Sequence, residues 1–178
     1  MASPFFIKSK LGDLVIDIQG ASTKPGTQLD AFTKKTKSPD WNNQLWEFVT
    51  SSFAGYSLLQ NPASKLVIDV LGASTKPGTP LDAFTVNTVG KPPLQTNSDN
   101  QIWAFVPSSE AGYYFIQSRL GDLVIDVEGA STKAGTHLDA YTKKTSSANW
   151  NNQFWTFIDE KGNSVTPPPP YTTPPPPK

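Results

Sequence analysis

The chain has 178 residues, enough for one domain with a sizeable core, and 15 Lys and Arg offset 15 Asp and Glu. With no basic excess and no cationic stripe, a nucleic-acid or membrane-surface partner is not expected. The absence of Cys excludes disulfides, thiolate zinc sites and cysteine nucleophiles, and neither a metal nor a cofactor is expected. The first residues, Met1 to Lys8, lack the basic and long apolar regions of a secretion signal, and no apolar run nears bilayer length. A soluble chain, cytoplasmic or non-classically secreted and without membrane insertion, is the expectation.

The segments Phe5 to Ser9, Leu14 to Ile18, Gln28 to Thr33 and Gln44 to Val49 are short and rich in β-branched and aromatic residues. Gly, Pro, Asn, Asp and Ser separate them. Lys10-Leu11-Gly12-Asp13 reads as a hairpin turn, and Ser22-Thr23-Lys24-Pro25-Gly26 as a loop with a Pro-Gly turn. No stretch holds a 3.6-residue apolar period, so the chain is expected to be all-β.

The same pattern then recurs. Leu14-Val15-Ile16-Asp17 returns as Leu66-Val67-Ile68-Asp69 and as Leu123-Val124-Ile125-Asp126, each followed, after two further residues, by Gly-Ala-Ser-Thr-Lys. Each copy continues through Asp30-Ala31-Phe32, Asp82-Ala83-Phe84 or Asp139-Ala140-Tyr141. Each closes on Asn-Gln-x-Trp-x-Phe, beginning at Asn43, Asn100 and Asn152. The offset is 52 residues from Asp17 to Asp69 and 57 from Asp69 to Asp126, the excess lying around Lys91-Pro92-Pro93. Repeats are drawn at about 4–54, 55–111 and 112–160 in a domain of residues 1–162. Three repeats of four strands imply a β-trefoil with pseudo-threefold symmetry, because a propeller needs more blades. Trp46, Trp103 and Trp155 are expected in its core, converging on the axis. Burying each indole removes on the order of 200 Å² from water. The end, 163–178, is proline-rich and expected to be a stiff tail or linker outside the domain.

The threefold Gln-x-Trp (Gln44-Leu45-Trp46, Gln101-Ile102-Trp103, Gln153-Phe154-Trp155), each preceded by Asn and by a Val-Ile-Asp strand, resembles the ricin B-chain type of lectin domain over about residues 4 to 159. That resemblance implies a β-trefoil fold and recognition of galactose-type sugars in one shallow pocket per copy. It assigns the pocket carboxylate to Asp17, Asp69 and Asp126, the stacking ring to Phe32, Phe84 and Tyr141, and the pocket amide to Asn43, Asn100 and Asn152. Gln44, Gln101 and Gln153 support the pocket from behind. At the polar position two before the ring, where the family often has Gln, this chain has Asp30, Asp82 and Asp139, and the Cys usual in the family are absent.

The chemistry of a pyranose suits these residues. A carboxylate accepts two hydroxyl bonds, an amide both donates and accepts, and a rigid ring covers the sugar's C–H patch. The same residues also have structural readings: Asp17 and its equivalents as caps of the Gly-Ala-Ser-Thr loop, the rings as core, the Asn as turn terminators. The first and third copies add Trp41 and Trp150, read either as a second pocket wall or as covers of the barrel's edge. On the first reading, sites one and three bind better than site two. The functional expectation is a non-catalytic lectin for galactose- or GalNAc-containing glycoconjugates, with up to three weak sites combining by avidity. The alternatives are a protein-binding trefoil such as a protease inhibitor, acting through the Lys91-Pro92-Pro93-Leu94 loop, or a sugar-targeting module of a larger enzyme or toxin. A glycosidase built on pairs such as Asp17 and Asp30 is disfavoured because a catalytic pair is rarely triplicated. The single His137 makes a His triad or His metal cluster impossible.

Overall fold

The computed structural model describes residues 3–89, 95–96, 99–145 and 150–170. The Lys91-Pro92-Pro93-Leu94 loop and the last eight residues of the proline tail lie outside the described residues. Fourteen strands follow one another: β1 Phe5–Ser9, β2 Leu14–Ile18, β3 Thr27–Thr33, β4 Leu45–Thr50, β5 Ser57–Gln60, β6 Val67–Val70, β7 Thr79–Phe84, β8 Thr88–Val89, β9 Gln95–Thr96, β10 Trp103–Pro107, β11 Tyr114–Ser118, β12 Leu123–Val127, β13 Thr136–Thr142 and β14 Trp155–Asp159. Among the described residues the only helical pieces are three-residue 3-10 turns, so the fold is all-β. Gln44, expected at the start of a strand, sits instead at the end of such a turn, Asn42–Gln44. No helix of the described residues is long and apolar enough to cross a membrane.

Twelve of the strands join one sheet, and β8 pairs with β9 apart from it. Antiparallel pairings run β1–β4, β4–β5, β5–β10, β10–β11, β11–β14 and back from β14 to β1, closing a ring with no free edge. The hairpins β2–β3, β6–β7 and β12–β13 rise from this ring. Their second strands pair with one another, β3 with β7, β7 with β13 and β13 with β3. This mutual pairing carries each hairpin against its neighbours and sets the surroundings of the site.

The strand period of two decides what is buried. On β2, Leu14, Ile16 and Ile18 enter the main core, and so do their equivalents on β12 and on β6 with the preceding Leu66. Val15 turns to the other face and joins Phe6, Leu45 and the half-buried Trp41 in a small satellite cluster. Trp46, Trp103 and Trp155 are fully buried, and their indole Nε1 atoms donate to the carbonyls of Ile16, Ile68 and Ile125 at 3.1, 3.1 and 3.0 Å. Each indole is thus pinned to the second strand of its own copy. It is the phenylalanines two residues on that meet across the copies: Phe48, Phe105 and Phe157 lie with ring centroids 5.0 to 5.4 Å apart. The three indoles, buried as expected, share one core cluster with these phenyl rings. Trp103→Ala is expected to cost about 4 kcal/mol, from the cavity together with the unpaired Ile68 carbonyl; chemical denaturation would read it, and a loss below about 1 kcal/mol would contradict this account.

The chain stays on the domain past Gly162. Ser164 bridges Ile158, the Val165 N–H donates to the Phe157 carbonyl at 2.9 Å, and Pro167 is buried. Ser164 and Val165 still carry backbone N–H groups, so they can pair; the proline run, which cannot, starts only at 167.

Candidate functional site

Each hairpin, with the 3-10 turn or loop that follows it, encloses a cleft. In the first copy, Asp17 on β2 stands on the face opposite the main core and is 3% exposed. Its Oδ1 accepts from Asn43 Nδ2 at 2.7 Å and its Oδ2 from Gln44 Nε2 at 2.8 Å. The same two amides reach the carbonyls of Ile18 and Thr33, at 2.9 and 3.0 Å. Lys35 closes the group: its backbone N–H donates to Gln44 Oε1 and its Nζ to Asn43 Oδ1, and Nζ lies 3.7 Å from Asp17 Oδ2. The third copy repeats this with Asp126, Asn152, Gln153 and Lys144. The second uses Asp69, Asn100 and Gln101, but both amides donate to Asp69 Oδ2, at 2.9 and 2.7 Å, and Asn87 stands where the others have lysine. Asp17 and its equivalents are thus held by amides within the site, not by the backbone N–H groups of the Gly-Ala-Ser-Thr loop.

A second carboxyl faces the first across each hairpin. Asp17 pairs in register with Asp30, Asp69 with Asp82 and Asp126 with Asp139. Like charges directly opposite each other on a sheet repel. The Oδ1 atoms of Asp30, Asp82 and Asp139 are buried without a hydrogen-bond partner. Burial pushes Asp30 and Asp139 up to about 7, with the facing carboxylates of Asp17 and Asp126 adding to it and Lys35 and Lys144 opposing it. In the second copy burial carries Asp69 up to about 7, with the facing Asp82 carboxylate adding to it, and raises Asp82 as well. Burial also raises Asp17 and Asp126, restrained first by the hydrogen bonds from Gln44 and Gln153 and by the lysines.

Beside each carboxyl pair stands an exposed ring: Phe32 is 38% exposed, Phe84 37% and Tyr141 43%. These rings are therefore not core residues. The clefts measure about 380 Å³ in the first copy, 280 Å³ in the second and 800 Å³ in the third. Each is lined by both Asp, the Asn and the ring. The Gln of Gln-x-Trp lies fully buried behind the Asp. The rim comes from the turn after the second strand, where Gly20-Ala21, Gly72-Ala73 and Gly129-Ala130 all hold positive φ. Gly adopts this freely; each Ala pays about 1–2 kcal/mol for the left-handed region.

Trp41 and Trp150 do not form second walls of the clefts. Trp41 packs edge-on to Phe6, with ring centroids 5.6 Å apart, and Trp150 packs against Phe154 and Phe115. They cover satellite clusters on the outer face of the sheet. A large indole beside an apolar neighbour buries more surface there than it would at a shallow polar cleft. Several cleft residues escape sequence reasoning. Lys35, Lys144 and Asn87 line their clefts, as do Gln19, Leu71 and Glu128 at the first position of the rim turn. The Lys-Lys versus Val-Asn difference between copies was a visible signal for the first group. Gly135 of the third copy borders the first cleft, and Gly78 of the second borders the third, for which the sequence carries no signal. A further hollow of about 420 Å³ lies by Arg119 and Asp99, but these two charges already pair with each other.

The model of the ricin-type β-trefoil lectin domain-like family matches residues 3–84 and 99–166. The chain belongs to this family. Among solved structures, the domain is similar to a designed threefold-symmetric protein, ThreeFoil, at 26% identity and a TM-score of 0.72, covering 88% of this chain and 98% of that one. It is equally similar in shape to part of an exo-β-1,3-galactanase from Clostridium thermocellum, at 25% identity and TM-score 0.72. That match covers 89% of this chain but 30% of the galactanase. The C-half of an earthworm R-type lectin, solved in complex with GalNAc, matches at 23% identity and TM-score 0.59 over 88% of this chain and 98% of its own. No curated protein matches the chain in sequence.

Proposed function

We propose that this lectin-family domain binds carbohydrate without catalysis, through three clefts arranged about a pseudo-threefold axis, and that its ligands are galactose- or GalNAc-type glycans. The observation that carries the reading is the threefold juxtaposition of a facing carboxyl pair, buried or largely so, and an amide with an exposed ring. The sugar-contact residues are the two Asp, the Asn and the ring of each copy; Gln44, Gln101 and Gln153 position the first Asp. The carboxyl groups and the amide meet sugar hydroxyls, and the ring covers the C–H face. Hydrogen bonds donated by side-chain amides to both oxygens of Asp17 and Asp126 leave neither carboxylate disposed as a nucleophile, which favours binding over hydrolysis. Shallow clefts bind weakly one at a time, and three on one rigid body combine by avidity on a multivalent surface.

A glycan array on the intact chain tests the reading; absence of any saccharide signal would sink it. Phe32→Ala, Phe84→Ala and Tyr141→Ala are each expected to weaken the affected cleft by about tenfold, the equivalent of 1.4 kcal/mol for a lost stacking ring. Thermal melting should not move, because these rings are exposed. A second reading, a sugar-targeting module within a larger enzyme, is favoured by the match to less than a third of the galactanase chain. It keeps the same clefts and the same test.

A further inference from the structure

Among the described residues, the exposed large apolar side chains are Phe32, Phe84, Tyr141 and Leu71. Three are the cleft rings. The fourth, Leu71, is 49% exposed and lines the second cleft. It opens the rim turn, where the first and third clefts have Gln19 and Glu128. An isolated exposed leucine is ordinary on a protein surface. Here, however, the exposed large apolar groups all collect at the clefts, and the leucine replaces residues that are polar in both other copies. The second cleft also lacks the ammonium that Lys35 and Lys144 supply elsewhere, and at about 280 Å³ it is the smallest of the three. It is therefore narrower and less polar than its counterparts, while keeping the carboxyl pair and Asn100.

We propose that the second cleft selects saccharides bearing a methyl group, in an acetamido or a 6-deoxy substituent, with Leu71 as the residue that reads the methyl. This rests on the reading of the clefts as sugar sites. Phe84 covers the C–H face of the ring, Asp69, Asp82 and Asn100 meet its hydroxyls, and Leu71 offers the methyl an apolar contact that Gln19 and Glu128 cannot.

The test uses the full chain carrying Phe32→Ala and Tyr141→Ala, which leaves the second cleft as the reader. Methyl galactoside, methyl N-acetylgalactosaminide and methyl fucoside are titrated by calorimetry or by NMR shift mapping. At least one methyl-bearing glycoside is expected to bind about fourfold more tightly than methyl galactoside, the worth of one buried methyl group. Preference for the acetamido sugar alone identifies an N-acyl ligand, and preference for the fucoside alone a deoxy ligand. Adding Leu71→Gln should abolish the preference with no change in melting temperature. Gln19→Leu, in a chain carrying Phe84→Ala and Tyr141→Ala, should confer the preference on the first cleft. Equal affinities, or a preference that survives Leu71→Gln, overturn the proposal. If the unmodified chain binds saccharide but the second cleft binds none, this proposal alone falls. If the unmodified chain binds none of the three, the lectin reading falls with it.

Discussion

Asp126→Ala is expected to destabilise the domain by about 3 kcal/mol and to abolish saccharide binding in the third cleft. The carboxylate receives Asn152 Nδ2 at 2.7 Å and Gln153 Nε2 at 2.8 Å, and both donors are buried. Each amide would keep its backbone acceptor, Val127 or Thr142, and lose its other partner. Two stranded N–H groups at about 1–3 kcal/mol each set the scale. Lys144 would also lose the carboxylate 3.7 Å from its Nζ. Asp126→Asn should cost about 2 kcal/mol, because its NH2 would face one of the two amide donors across a former hydrogen bond. Denaturant unfolding measures the first effect, and titration of a chain whose other two rings are removed measures the second. A stable Asp126→Ala variant whose third cleft still binds sugar would show that the carboxylate only decorates the loop.

Stability should fall as pH rises from about 4 to about 7, and then level off. The carboxyls of Asp30, Asp69 and Asp139 are raised to about 7 in the folded chain, against about 4 in an unfolded one. Between those values the folded state holds protons that the unfolded state has released, so rising pH favours unfolding. The stabilising contribution is complete below the unfolded value and lost once pH passes the folded one. Asp17, Asp82 and Asp126, also raised, act in the same direction. Asp13 and Asp159 are lowered, by Lys8 and by Asn163, and work the other way, but neither is buried. The loss is expected to be a few kcal/mol per copy, about three pH units at about 1.4 kcal/mol each setting the upper bound. The combined Asp30→Asn, Asp82→Asn and Asp139→Asn variant should flatten the profile and gain stability at pH 8, since each change removes the charge that faces another carboxylate. An unchanged slope in that variant would place the pH dependence elsewhere.

The rings Phe32, Phe84 and Tyr141 had two open readings, core or cleft, because period two on a strand places a residue on a face without saying whether that face is covered. Exposure of 37–43% answers that question. Trp41 and Trp150 were legible as large and apolar beside a polar loop, but the partner each would meet was not. Phe6 and Phe154, the rings they pack on, come from other strands or turn back from the next segment. The facing of Asp17 and Asp30 needs only the hairpin register, whereas their cost needs the burial, which arises when β3 is walled in by β7 and β13.

From its residues alone the chain declares an all-β repeat, its short strands, its buried indoles and the acid, amide and ring that recur in every copy. These are local patterns of alternation, turn chemistry and spacing, and each copy carries them without reference to the others. The pairing of distant strands settles the rest: which side chains line a cleft, how Gly135 and Gly78 come to border a cleft of another copy, that three phenyl rings meet across the copies, and which carboxyl oxygens are sealed away without a donor. Such outcomes follow from packing between segments that are far apart in sequence, and a one-dimensional pattern does not encode which surfaces will be pressed together.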